Sequence, residues 1–259
     1  VTPIDIEYVK SVALEAGAQA LRMQTGMTAE FKADNSFVTE IDKWVENFTR
    51  ARLQERYPDF AFHGEEFGRH GSLDAPTWFV DPIDGTTNMV FGIPFWCVSI
   101  GLMEQGIPTA GVVYFPRLGE MTWGVRGEGA YADGRRLAVV DRDSIHPEDT
   151  LGFTSGAIKK LNPHVLAGRI RCLGSIAGDL VSTAKGSFCS HVALNEGVVD
   201  IVAALCIAAE AGCVAEYLTG EPLDLLKVLP FGKTQEPFVV APPRMAALLQ
   251  SLLRRRTES

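Results

Sequence analysis

The sequence predicts an α+β fold on three observations. Apolar residues recur at helical spacing near both ends of the chain. A block from Phe95 to Tyr131 alternates like antiparallel strands, and the second half interleaves short strand-like runs with capped helices. With 259 residues, 46% apolar and 22% charged, the chain has material for a substantial core. Length alone leaves one large domain or two packed halves open. The polar stretch 141–151, with Pro147, is the natural divide, giving halves 1–145 and 146–259.

The first helix covers Ile4 to Leu21, with Ile6, Val9, Val12, Ala13, Ala16 and Ala20 in its apolar stripe and Gly26 ending the pattern. A polar link, 32–42, leads into a second amphipathic helix striped by Ile41, Trp44, Val45, Phe48 and Leu53 and stopped by Pro58. Thr39 reads as its N-cap, with Asp42 three positions later as in a capping box. A strand follows at Thr77–Val80. Further strands are expected at Phe95–Leu102, Thr109–Tyr114, Met121–Val125 and Gly127–Tyr131, with turns at Gly106 and Asp133-Gly134. Ser175 caps a helix closed by Gly186. A strand-like run, Phe188–Leu194, comes next, and Asp200 reads as the cap of a helix closed by Gly212. A last helix is expected at Met245–Leu253.

Composition narrows the function. The net charge is −8, and the longest basic run is Arg254-Arg255-Arg256, which argues against nucleic acid as the main ligand. The five cysteines are odd in number and show no CxxC spacing, so neither a disulfide framework nor a zinc site is expected. No signal pattern and no apolar run of ~20 residues is visible, so a cytoplasmic protein without a membrane span is expected.

Chemistry concentrates in Trp78-Phe79-Val80-Asp81-Pro82-Ile83-Asp84-Gly85-Thr86-Thr87-Asn88. The strand is expected to stop at Asp81, because Pro82 cannot continue its ladder. Asp81 and Asp84, three apart across a Pro-initiated turn, can converge on one side, and Gly85 permits close approach of a ligand. Thr86 and Thr87 offer hydroxyls and N–H groups at a helix start, which is an anion site. Carboxylates beside an anion site make sense together when a hard cation lies between them. A second acidic pair stands in Phe62-His63-Gly64-Glu65-Glu66-Phe67-Gly68, at the end of another strand-like run.

Together these segments resemble the signature of the inositol monophosphatase family of magnesium-dependent, lithium-sensitive phosphomonoesterases. Its Asp-Pro-Ile-Asp-Gly-Thr-Thr-Asn octapeptide is matched from Asp81 to Asn88, and its Gly-Glu-Glu element by Gly64 to Glu66. The resemblance spans roughly Ile6 to Leu225. It implies a layered sandwich of the αβαβα, sugar-phosphatase type that is usually a homodimer. It also implies metal ligands at Glu65, Asp81, the Ile83 carbonyl, Asp84 and Asp200. All are oxygen donors, which points to Mg²⁺ rather than Zn²⁺. Asp42, beyond its capping role, falls in the family's Val-Thr-x-x-Asp element, which implies a place in the outer shell of the metal cluster. Asp200 is both a cap and, by resemblance, the third metal-binding Asp. Glu65 and Thr86, with Asp42, are the implied catalytic set. Asp84, Gly85, Thr86 and Ser175 are expected around substrate and phosphate.

The match departs at two points. Val199 stands where the family commonly has Trp. Ala193 stands where inositol-phosphate members carry a substrate-binding Glu, so Asn195 or Glu196 is expected to substitute. The implied activity is Mg²⁺-dependent hydrolysis of a small phosphomonoester, inositol monophosphate foremost, with histidinol phosphate or fructose 1,6-bisphosphate as alternatives. A regulatory interaction protein of the extragenic-suppressor type is the alternative of another class.

Overall fold

The computed structural model describes residues 3–32, 36–72 and 74–254. Helix α1 (Ile6–Met23) starts at Asp5, whose carboxylate accepts the Tyr8 N–H at 3.1 Å. Strands β1 (Ala29–Phe31) and β2 (Phe37–Thr39) form a small antiparallel hairpin before α2 (Glu40–Arg56). The 32–42 link is therefore partly strand, which its polar composition hides; residues 33–35 within it lie outside the described residues, as do Arg255 and Arg256 of the basic run.

Next come β3 (Ala61–Gly64), β4 (Gly68–His70), β5 (Thr77–Asp84), α3 (Thr86–Val90), β6 (Cys97–Glu104), β7 (Ile107–Phe115), β8 (Glu120–Val125), β9 (Gly129–Ala132) and β10 (Arg135–Arg136). They build an eight-stranded sheet in the order β10-β9-β8-β7-β6-β5-β3-β4, antiparallel except for β3 beside β5. The expected tight turns close two of its hairpins: Gln105 and Gly106 have φ of 51° and 80°, and Asp133 and Gly134 have 46° and 79°.

From residue 150 onward the chain forms β11 (Thr150–Phe153), α4 (Ser155–Lys160), β12 (Arg169–Arg171), α5 (Ile176–Ala184), β13 (Ser190–Ala193), α6 (Val198–Glu210), β14 (Val214–Tyr217), α7 (Leu225–Val228), β15 (Phe238–Ala241) and α8 (Pro243–Arg254). Its five strands order as β12-β11-β13-β15-β14.

Apolar periodicity assigns the layers. Val9, Val12 and Ala16 of α1 and Ile41, Val45 and Leu53 of α2 bury against Trp78, Val80, Ile100 and Val112 on one face of the large sheet. Its other face, through Phe79, Val113 and Phe115, packs on α5 and α6, which also cover Phe238 and Val240 of the small sheet. Met245, Ala246 and Leu249 of α8 cover that sheet's outer face at Val239 and Ala241. The result is the expected αβαβα sandwich. α6 approaches the large sheet through glycines: a Cβ on Gly101 would lie 2.6 Å from the Ala203 nitrogen, and one on Gly111 2.1 Å from the Ala203 oxygen. That close contact fixes where the start of α6, and so Asp200, sits.

Two expectations are corrected. Strand β5 runs on to Asp84 rather than stopping at Asp81. Asp81 pairs with Ser99 and Asp84 with Cys97, and the register breaks between them. Pro82 thus interrupts the ladder without ending it, and the irregularity re-aims the two acids. Asp200 does not cap α6 from outside but lies in its first turn, its Oδ2 accepting the Gly197 N–H at 2.9 Å.

Candidate active site

The acids converge because neighbouring strands and one helix end at the same level. Parallel pairing of β3 with β5 sets Gly64 opposite Val80, and the Glu65 N–H continues to the Val80 carbonyl at 3.2 Å. Glu65 therefore emerges beside Asp81, while α6 brings Asp200 from the opposite side. One carboxylate oxygen from each of Glu65, Asp81 and Asp200 lies within 4.8 Å of the others. Asp81 is buried, and its Oδ1 accepts the Ile83 N–H at 3.0 Å.

The electrostatics of this triad are unfavourable by themselves. Burial pushes the Asp81 carboxyl well above its ordinary pKa, and Glu65, Asp84 and Asp200 push it further. Burial, then Glu65 and Asp84, raise Asp200 to about 7. The protein supplies a cation beside this cluster: Lys32 Nζ lies 2.9 Å from Glu65 Oε1 and 2.5 Å from Glu66 Oε1. Burial alone would lower the Lys32 pKa; the two glutamates outweigh it and hold the pKa above the usual lysine value.

Asp84 is set differently. Its Oδ2 accepts the Ser175 hydroxyl at 2.6 Å and the Ala177 N–H at 2.7 Å, while Oδ1 accepts the Ile176 N–H at 3.2 Å. Asp84 thus sits on the N-terminus of α5, where backbone dipoles favour an anion. Burial raises it, these donors restrain it, and it stands at about 6. Ser175 itself caps α5 by accepting the Gly178 N–H at 3.2 Å. These α5 donors, expected to meet phosphate, are engaged by the protein's own carboxylate.

Thr86 stands at the start of α3, entered through Gly85 at φ 92°. Its hydroxyl lies 3.0 Å from Asp42 Oδ1 and 2.9 Å from the Ile83 carbonyl. Asp42, fully buried, completes the expected capping box with Thr39: its Oδ2 accepts the Thr39 N–H at 2.8 Å and the Thr39 hydroxyl at 2.5 Å. Burial raises the Asp42 pKa against those hydrogen bonds. Asp42 is thus a cap and the partner of Thr86 at once.

The second half closes the cleft. Ala193 is buried in β13 against the core and faces no ligand space. The cleft instead receives Asn195, at φ 70°, and Glu196. The Glu196 turn is clasped by Thr234, which donates its N–H to the Glu196 carbonyl at 2.9 Å and accepts the Glu196 N–H on Oγ1 at 3.1 Å. Burial, then Asp200 and Asp84, raise the Glu196 carboxyl to about 8. The cleft measures about 460 Å³, and Glu65, Asp81, Asp84, Thr86, Glu196 and Asp200 all line it. The sequence reading missed Lys32, the cradle of Asp84 on α5 and the Thr234 clasp. All three are long-range contacts with no local pattern to announce them.

A layered αβαβα fold with acids gathered over a helix-start pocket defines the class of sugar-phosphatase-like hydrolases. The chain matches the inositol monophosphatase family model over residues 1–255. It is 33% identical over 248 residues to the fructose-1,6-bisphosphatase/inositol-1-monophosphatase of Aquifex aeolicus, covering 91% of this chain and 93% of that one. It is 38% identical over 193 residues to the histidinol-phosphatase of Mycobacterium tuberculosis, covering 72% and 70%. Among solved structures, the extragenic suppressor protein suhB of Bartonella henselae is similar, with a TM-score of 0.85 at 26% identity over 97% of this chain and 98% of that one. The chain belongs to the inositol monophosphatase family and is a phosphoric monoester hydrolase acting on small phosphorylated substrates. No helix among the described residues is long and apolar enough to cross a membrane, and the five cysteines are free.

Proposed function

We propose that this enzyme hydrolyses a small polyol or sugar phosphate, inositol monophosphate foremost, with Mg²⁺ as its metal. The observation that carries the metal is the triad Glu65, Asp81 and Asp200, three carboxylates crowded at one point with no His or Cys among them. Hard oxygen donors suit Mg²⁺, and a cation offsets the burial and repulsion that raise Asp81 and Asp200. The Ile83 carbonyl and Asp84 complete the ligand set in this reading. Bound there, Mg²⁺ offsets the charge of the cluster and acts as a Lewis acid toward the phosphoryl group and the attacking water.

The chain's own residues do the rest. The Thr86 hydroxyl commits its proton to Asp42 or to the Ile83 carbonyl and keeps lone pairs with which to orient the attacking water. Asp42, raised by burial, can accept a proton passed through Thr86. The N–H groups of Gly85 and Thr86, at the start of α3, would hold the phosphoryl oxygens in this reading. Ser175 keeps Asp84 in place, and Glu196 receives a hydroxyl of the leaving alcohol where Ala193 cannot. The buried Ala193 and the histidinol-phosphatase relative also support a second substrate, histidinol phosphate, whose amine would pair with Glu196. A cytoplasmic, lithium-sensitive homodimer follows from the family resemblance and is part of the same proposal.

The test is phosphate release from inositol monophosphate, histidinol phosphate and fructose 1,6-bisphosphate with Mg²⁺, beside Asp81→Asn. Turnover of at least one, lost in the variant, is expected. No release above the variant from any of them would overturn the reading.

A further inference from the structure

We infer that Glu46 is a positioning residue for Glu65, and that helix α2 helps to set the geometry between Glu65 and Thr86. The inference rests on the metal-site reading above and adds a determinant of metal affinity outside its ligand set.

Glu46 is fully buried, where an unneeded carboxylate would be costly. Its two oxygens are spent on the turn that follows Glu65: Oε2 accepts the Glu66 N–H at 2.7 Å, and Oε1 the Phe67 N–H at 3.0 Å. Upstream, the Glu65 N–H is held by Val80, so the metal-facing residue is pinned on both sides. The fit leaves no spare room. A Cβ on Gly64 would lie 1.9 Å from Glu46 Oε1, so this motif glycine is what admits the carboxylate behind the strand end.

Glu46 stands four residues after Asp42 and shares its face of α2. Asp42 holds Thr86 and Glu46 holds the Glu65 turn, so one rigid helix registers both groups assigned to water activation. Hydrogen-bond partners behind metal ligands typically govern affinity by orienting those ligands.

The experiment is calorimetric titration of Mg²⁺ into metal-stripped wild type, Glu46→Gln and Gly64→Ala, with activity followed against Mg²⁺ concentration. Gln keeps one acceptor and sets an NH₂ against the other N–H; Ala at 64 displaces the carboxylate without touching its charge. Both variants should bind Mg²⁺ roughly 10- to 100-fold more weakly. Half-maximal activity should move to correspondingly higher Mg²⁺, with kcat largely recovered at saturation and the substrate KM unchanged there. A lower melting temperature with unaltered Mg²⁺ affinity, or failure of both variants to fold, would assign Glu46 to folding alone and overturn the proposal. A wild type that binds no Mg²⁺ would overturn the metal-site reading instead.

Discussion

Replacing Asp81 by Asn should stabilise the metal-free protein while abolishing turnover, and the size of the gain can be worked from the triad. Asn keeps the Oδ1 that accepts the Ile83 N–H, so the local turn survives. What disappears is one of three carboxylates whose oxygens lie within 4.8 Å of one another. A pair of unit charges at that distance repels by about 3.5 kcal/mol at an effective dielectric near 20. The wild-type carboxyl relieves part of this by holding a proton, as its raised pKa indicates. A net gain on the order of 2 kcal/mol remains at pH 7.5, or roughly 4–8 °C in Tm for a chain of this size. The assay is calorimetric melting in EDTA and then across a Mg²⁺ titration. Mg²⁺ should raise the wild-type Tm and leave the variant unmoved. As pH falls below the unfolded carboxyl's ordinary pKa, about 3.9, the advantage should vanish, because the unfolded carboxyl is then protonated as well. A variant that melts lower than wild type at pH 7.5 in EDTA, or that keeps the wild-type response to Mg²⁺, would refute the account of the cluster as a repulsive cation site.

Three further outcomes are expected. The folded-state pKa values of Asp84, about 6, and Asp200, about 7, lie above the ordinary 3.8. Their contribution to stability is therefore complete below about pH 4 and is lost as pH rises through 6 to 7; for Asp84 alone this is on the order of 3 kcal/mol. Melting in EDTA should show that decline, and saturating Mg²⁺ should flatten it; a stability that climbs from pH 4 to pH 7 without metal would contradict the assignment. Asp42→Asn should lower kcat by about 10²- to 10⁴-fold with little change in KM, if Asp42 serves as the proton acceptor behind Thr86; steady-state kinetics at saturating Mg²⁺ separates this from a loss of folding. Glu196→Gln should raise KM roughly tenfold for substrates offering a hydroxyl or amine to it. It should spare an aryl phosphate that offers neither, and equal effects on both would remove Glu196 from the substrate contacts.

The parts of the fold legible in the sequence are those with strong local periodicity. The stripes of α1, α2 and α8, the meander β6 to β9 and the caps at Thr39 and Ser175 are each fixed by residues within a turn or two of one another. The β1–β2 hairpin escaped because three-residue strands carry no measurable alternation. Pro82 misled because a proline excludes itself from the ladder but leaves its neighbours free to rejoin it at Asp84. At the site, residue identities were readable but their pairings were not. Nothing around Asp84 announces that its partners are Ser175, Ile176 and Ala177, more than ninety positions away. Nor does Ala193 reveal that the chain turns at Asn195 and delivers Glu196 in its stead.

Asp84 shows why this site cannot be built within one sheet. It ends a strand of the large sheet, yet its charge is tolerated only because the amides of α5 meet it. Asp200 likewise reaches the cluster from α6, a helix sandwiched between the two sheets. Helices α1 and α2 follow the ordinary rules, with apolar stripes inward and caps satisfied. At this seam like charges are gathered, and the helices that cover them supply donors to some carboxylates while Glu65, Asp81 and Asp200 keep oxygens within 4.8 Å of one another. A fold selected for stability alone would not retain that arrangement. In the proposed metal-site reading the counter-charge arrives from solution, and the site assembles only when the layers on both sides of the seam are in register.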